Sequence, residues 1–178
     1  MNTTYPSSFA IHSPKKLVSD KSEFISQALS EVVNTGKYWE ELMQERIFKP
    51  LGMTSAGFGN LGKPGKINQT WGHRKSWKEW NPVYSNCAEV LGPAGWIHCN
   101  IELWAKFLSL QLSKSNPILD STLLNKLRVP PGGFYAGGWG LAEPEWAKGI
   151  ILTHSGSNEI WFSNVLVATK LNSKICST

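Results

Sequence analysis

Cysteine is scarce in this chain: there are three in 178 residues, Cys87, Cys99 and Cys176. The number is odd and none stands in a C-x-x-C pair, which excludes a disulfide framework and the usual zinc signatures. His98 beside Cys99 has no second pair to complete a ligand set and reads as structural. No metal and no cofactor is therefore expected. Long apolar runs are missing too. Nothing approaches membrane-spanning length, and residues 1–20 contain no apolar core of a secretory signal. Internal repeats are absent. Asn2-Thr3-Thr4 and Asn68-Gln69-Thr70 fit the glycosylation pattern, but nothing places the chain in a secretory route, and its localisation stays unknown.

Charge of one sign is present but not concentrated. The net charge of +5 comes from 18 Lys and Arg against 13 Asp and Glu, scattered along the sequence. The densest stretch is His73-Arg74-Lys75-Ser76-Trp77-Lys78-Glu79-Trp80. Interleaved bases and aromatics can bind single-stranded nucleic acid, but no fold signature of such a protein accompanies them. A solvated loop with both Trp folded back on the core is the preferred reading, and no nucleic-acid partner is expected.

What is there is globular: 41% hydrophobic residues and nine Trp, in a length that suits one domain burying roughly 70% of its unfolded surface. Residues 1–20, with Pro6, Pro14 and several Ser, read as an unstructured lead-in. Residues 21–170 form the domain and 171–178 a tail. Asp20 with Glu23 resembles a capping box. It opens a helix with Phe24, Ile25, Ala28, Leu29, Val32 and Val33 on one face, stopping at Gly36. A second helix runs from about Tyr38 to Phe48, with Trp39, Leu42, Met43 and Ile47 facing in, and Pro50 ends it.

Residues 57–82 read mostly as loop, with a short strand near Thr70–His73. Gly92-Pro93-Ala94-Gly95 is a tight turn. Asn100 caps a helix bearing Ile101, Trp104, Phe107, Leu108 and Leu112. Asp120 caps another bearing Leu123, Leu124 and Leu127, which ends before Pro130. Strands follow after Gly132, at 150–153 and at 161–169. Helices first and antiparallel strands last predict an α+β arrangement, an antiparallel sheet packed with helices.

Between the last two strands lies a polar knot, His154-Ser155-Gly156-Ser157-Asn158. A glycine that admits close approach, two hydroxyls, an imidazole and an amide beside a sheet edge can hold an anion or a developing oxyanion. The alternative is an ordinary polar hairpin turn, and spacing alone does not separate the two. Tyr135, Trp139 and Trp161 could line a cleft but read as core or sheet-face packing. Glu143 and Glu145 sit on an exposed loop, with no acid–base role.

Four blocks in order carry a resemblance: Tyr38-Trp-Glu-Glu-Leu-Met-Gln-Glu-Arg-Ile-Phe-Lys-Pro-Leu-Gly-Met53, Gly92-Pro-Ala-Gly95 with its helix, Gly138-Trp-Gly-Leu141, and His154-Ser-Gly-Ser-Asn158. They resemble the serine β-lactamase and penicillin-binding-protein superfamily, in its class C-like, esterase-like branch, over residues 24 to 170. The resemblance implies a partial β-lactamase-like fold and acyl transfer through a serine ester, on a β-lactam, a D-alanyl peptide or a small ester. In that family a Ser-x-x-Lys supplies the nucleophile and its base, a Tyr-x-Asn a second proton shuttle, and a Lys-Thr-Gly strand the substrate and oxyanion contacts. Carried over, His154 replaces the Lys and Ser155 the Thr, while Gly156 keeps the backbone close. Ser157 lends its N–H to the oxyanion, a donor typically worth about 3 kcal/mol, and Asn158 joins Ser155 and Gly156 in holding substrate.

The family places its Ser-x-x-Lys and Tyr-x-Asn ahead of the helix that matches Phe24–Val33, and here only residues 1–23 precede it. It also continues past the strand matching Val165–Ala168 with a further strand and a helix. The expectation is a middle and late portion, truncated at both ends, without its own nucleophile and inactive alone. Ser13-Pro14-Lys15-Lys16 has the nucleophile's letters, but about one such match is expected by chance, and no apolar helix follows it. Tyr84-Ser85-Asn86 has the letters of the second motif but lies just before Gly92, later than the family places it. The partner implied is a small-molecule substrate or carboxylate ligand. A non-catalytic binding module is the alternative, with self-association through a sheet edge left open by the missing strand.

Overall fold

The computed structural model describes residues 29–85, 88–113 and 116–177. The lead-in, the first turns of the helix at Phe24, Ser13 with Lys16, and Asn86 with Cys87 lie outside the described residues. The chain is α+β: short helices come first and a five-stranded sheet last.

Helix α1 covers residues 29–35. It stops at Gly36, whose φ of 67° only glycine adopts easily and whose N–H donates to Val32 O at 2.8 Å. Its anticipated inward face is only partly covered: Val32 is half-buried, while Leu29 is 60% and Val33 82% exposed. Helix α2 spans Trp39–Met43 and continues as one π-helical stretch, Gln44–Phe48. Tyr38 N–H donates to Glu41 Oε2 at its start. Phe48 is buried with Met53 and Leu103, and Met43 and Ile47 pack beside them. Two exposed ion pairs hold this corner: Arg46–Glu31 at 2.9 Å ties α1 to the π-helical stretch, and Lys37–Glu45 at 2.6 Å ties the connection to it. The Lys37 hydrogen bond holds the Glu45 carboxyl below its ordinary range.

The region read as loop is more ordered than that. Strand β1 (Gly57–Phe58) pairs with β4 (Ile97–His98), and β2 (Gly72–Lys75) forms a hairpin with β3 (Trp80–Val83). Trp77 and Trp80 are not folded onto the core: they are 98% and 65% exposed. The Gly92–Gly95 turn is one helical turn, α3. His98 lies with its ring against Gly57, where a Cβ would come within 2.9 Å, so its role is packing.

Asn100 caps α4 (Ile101–Ser109) through Leu103 N–H, and Asp120 caps α5 (Ser121–Lys126) through Leu123 N–H. The caps were legible, and so was most of the α4 face: Trp104, Phe107, Leu108 and Leu112 all join the sheet cluster, with Leu103 added to the buried side and Ile101 left out. In α4 Leu103 and Leu108 are buried while Ile101 is exposed. In α5 Leu124 is buried while Leu123 and Leu127 are largely exposed.

The sheet is a sequential antiparallel meander of β5 (Tyr135–Ala136), β6 (Trp139–Ala142), β7 (Ile151–Ser157), β8 (Phe162–Ala168) and β9 (Ser173–Ser177). Strand β9 is a correction: the residues read as a tail add a strand, pairing Ser173–Ser177 with Asn164–Ala168. The edge expected beside β8 is thus filled. The polar knot is likewise strand through Ser157, not a turn.

One sheet face packs on α4, joining Leu152, Val165 and Val167 to Leu108 and Trp139. The other buries Ile151 and Ala168 against Ala147. Leu108 is fully buried at the centre of the first cluster. Leu108→Ala should lower unfolding stability by about 2–5 kcal/mol, lost transfer energy plus the cavity left behind. Urea denaturation checks this, and a loss below about 1 kcal/mol would refute the assigned packing of α4 on the sheet.

Candidate functional site

Strand β7 is longer than its neighbour on one side. Strand β6 pairs with Ile151–Thr153 only, ending at Gly140↔Thr153, because Gly137 and Gly138 adopt φ of 54° and 85° and turn the chain into β5. From His154 to Ser157 the outer edge of β7 has no strand partner among the described residues. The inner edge stays fully paired, His154↔Val165 through Ser157↔Phe162. A free edge of this kind exposes backbone N–H and C=O groups to a ligand.

Side chains alternate across the strand. His154 and Gly156 share the face of Leu152, toward α4, and Ser155 and Ser157 share the opposite face with Thr153. The five predicted residues are therefore adjacent but do not converge on one face. His154 Nδ1 lies 2.7 Å from Gly138 O. A carbonyl can only accept, so Nδ1 carries the proton and Nε2 is the nitrogen left for a ligand. A Cβ added to Gly156 would meet nothing within 4 Å. Its backbone lies outside the positive-φ region, so neither local conformation nor crowding requires glycine there.

The remaining polar side chains are occupied. Ser155 Oγ donates to Asn164 Oδ1 at 2.9 Å. Ser157 Oγ donates to Trp161 O at 2.9 Å and accepts from Glu159 N–H at 3.2 Å. Asn158 Oδ1 accepts from Trp161 N–H at 2.9 Å and Ile160 N–H at 3.4 Å. These bonds build the turn after β7, where Glu159 holds a φ of 76°. The hairpin buttresses that turn: His73 N–H donates to Ile160 O at 3.0 Å, and Trp161 packs so close to Gly72 that a Cβ would sit 2.9 Å from its indole nitrogen. Trp139 is core, while Glu143 and Glu145 are exposed.

Gly138 and Asn164 were missed in the sequence. Asn164 could have been found by counting the β7–β8 register outward from the turn. Gly138 was named only within the Gly138–Leu141 block, with no signal that its carbonyl would meet His154. Burial raises the Cys99 thiol, so this cysteine is a poor nucleophile at neutral pH. Burial lowers Arg128, which donates from Nη2 to Gln111 O and to Gln111 Oε1, a tie between α5 and the end of α4. Tyr84 is 43% exposed beyond β3. Among the described residues no three His, Cys, Asp or Glu group as a metal site would need, and no helix is long and apolar enough to cross a membrane.

The geometry of His154 makes a spectroscopic prediction. When neutral, the ring should be the Nδ1–H tautomer, seen in long-range nitrogen–proton correlation spectra of labelled protein. A dominant Nε2–H tautomer would refute the bond to Gly138.

The Beta-lactamase family model matches residues 24–172. Solved structures agree in fold. A penicillin binding protein from Bacillus halodurans superposes with a TM-score of 0.69 at 16% identity, over 88% of this chain and 48% of that one. A D-stereospecific amidohydrolase from Streptomyces sp. gives 0.69 at 15% identity, over 88% and 48%. The octameric penicillin-binding protein homologue from Pyrococcus abyssi gives 0.60 at 20% identity, over 80% and 33%. This chain thus spans between a third and a half of the length of these structures. No curated protein sequence matches it significantly. With most of its length matched by the family model, the chain belongs to the Beta-lactamase family, and these neighbours share its fold.

Proposed function

We propose that this chain supplies the substrate-binding strand of a β-lactamase-related acyl-transfer site, and that the 178-residue chain does not hydrolyse substrate alone. The observation that carries the reading is the unpaired outer edge of β7 from His154 to Ser157. An acyl substrate aligned along that edge would take backbone hydrogen bonds there. Its carbonyl oxygen would accept from Ser157 N–H as negative charge develops, which is where a fixed donor lowers a barrier. His154 Nε2 would meet a polar group of the substrate, with the ring held in orientation by Gly138 O. Gly156 would leave room for the substrate, and Ser155 and Asn158 would stiffen the strand and its turn.

The nucleophile is the part this chain does not obviously carry. Its one Ser-x-x-Lys is Ser13-Pro14-Lys15-Lys16, and proline with two adjacent cations suits a loop better than the start of an apolar helix. Without a nucleophile, the edge would be a binding site: a module for a small carboxylate. The open space over Gly156 favours that second reading.

Two experiments bear on these readings. Incubation with a fluorescent penicillin or a fluorophosphonate should leave the intact mass unchanged. An adduct that maps to Ser13 and disappears in Ser13→Ala would overturn the claim of inactivity. The binding reading uses benzylpenicillin as probe, followed by ligand-observed NMR. His154→Ala should weaken binding about tenfold or more, one hydrogen bond to a charged group being worth about 1.5 kcal/mol or more. Gly156→Val should abolish binding while the circular dichroism spectrum is kept. Equal affinity in all three proteins would remove β7 as the site.

A further inference from the structure

The β2–β3 hairpin is the feature that the acyl-transfer reading does not use. It is fixed at both ends. At its base Gly72 is buried under Trp161, and His73 N–H is bonded to Ile160 O. At its tip Ser76 N–H donates to Glu79 O at 2.8 Å, and Asn81 Nδ2 donates to Ser76 Oγ at 3.1 Å. Between those anchors the chain displays what soluble surfaces avoid. Trp77, in the turn itself, is 98% exposed, and Trp80 is 65% exposed beside its ladder partner Lys75. Arg74, Lys75 and Lys78 stand against one acid, Glu79, and none of the three has an ion-pair partner among the described residues.

We propose that this hairpin docks the protein on an anionic lipid surface. Indole rings favour the headgroup zone, where the apolar ring is shielded and the N–H still finds an acceptor. Cations just behind them meet acidic headgroups, each contributing to surface affinity. Charge complementarity selects this occupant: the cations are unneutralised, and the chain as a whole carries +5. Shape disfavours single-stranded nucleic acid, which is held in a basic groove floored by stacking aromatics. Here the aromatics occupy a projecting two-stranded tip. The proposal stands apart from the acyl-transfer reading and does not need it.

The test is co-sedimentation of the full 178-residue chain with vesicles of mixed phosphatidylglycerol and phosphatidylcholine, and with phosphatidylcholine alone. Binding should require phosphatidylglycerol and weaken as salt is raised. Each removed cation should lower partitioning about fivefold, so R74Q/K75Q/K78Q together should lower it about a hundredfold. W77S/W80S keeps every charge and should still lose most of the binding. It should also lose the fluorescence quenching that brominated lipids cause in the parent protein. All five positions are exposed, and circular dichroism confirms the fold of each variant. Absence of binding, or equal binding by the parent and W77S/W80S, overturns the proposal. Retention on a single-stranded oligonucleotide with indifference to vesicles would overturn it in favour of nucleic acid.

Discussion

The β7–β8 ladder is the constraint from which the rest of this structure follows. It pairs Ile151–Ser157 with Phe162–Ala168 without a break, so the alternation of side chains is set along both strands at once. Leu152, Val165 and Val167 then fall on one face and meet Leu108 of α4, while Ile151 and Ala168 fall on the other and meet Ala147. A slip of one residue would exchange these faces, bringing Ser155 to the α4 side and turning His154 away from it. Register therefore also decides which face His154 and Ser155 take. The apolar half of the ladder specifies it, and the polar half inherits it.

Helix α4 carries that specification to the rest of the chain. Phe107 packs with both the sheet cluster and the Phe48 cluster, so one helix joins the two cores. Its flanks are tied as well: Lys106 Nζ donates to Gly52 O at 3.1 Å, and Asn100 N–H to Ser55 Oγ at 3.3 Å. Lys174 completes the arrangement from β9. It points inward beneath the helix and donates to Ala105 O at 3.0 Å and to Ser109 Oγ. An inward lysine on an edge strand discourages further strand addition, and a cation near the end of a helix favours its dipole. One side chain answers two problems that the meander creates.

What could be read from the sequence was decided by how local each signal is. Caps are local: Asn100 and Asp120 each serve a donor three residues on, and both were legible. The stop at Gly36 and the α+β order were legible for the same reason. Faces are not local. Apolar spacing in α4 found Trp104, Phe107, Leu108 and Leu112, which meet the sheet, but Leu103 in place of Ile101 is selected only by the position of the Phe48 cluster. Of the β2–β3 hairpin only a short strand near Thr70–His73 was legible, because its side chains are nearly all exposed and the buried-face alternation that marks a strand is missing. The polar knot was read as lying between strands because its side chains look like turn residues. Asn158 and Ser157 do build the turn, but His154 to Gly156 are held as strand by β8, from outside the motif. The edge that makes them interesting depends on where β6 stops, which a glycine pair sixteen residues earlier determines.

In the proposed reading, histidine stands in this strand where the family has lysine, and that exchange would have a geometric consequence. An ammonium group offers three donors on a flexible stem and can follow whatever anion the site presents. His154 offers one nitrogen, because the other is spent on Gly138 O, and the ring plane is fixed by that bond. The proposed site would thereby exchange reach and multiple hydrogen bonds for a single directed contact. Such a contact would favour a ligand group placed in line with Nε2 over a displaced one, because hydrogen bonds weaken steeply off their preferred angle. The glycine turn that ends β6 also supplies the carbonyl that aims the imidazole. Opening the edge and orienting the side chain beside it are one structural event.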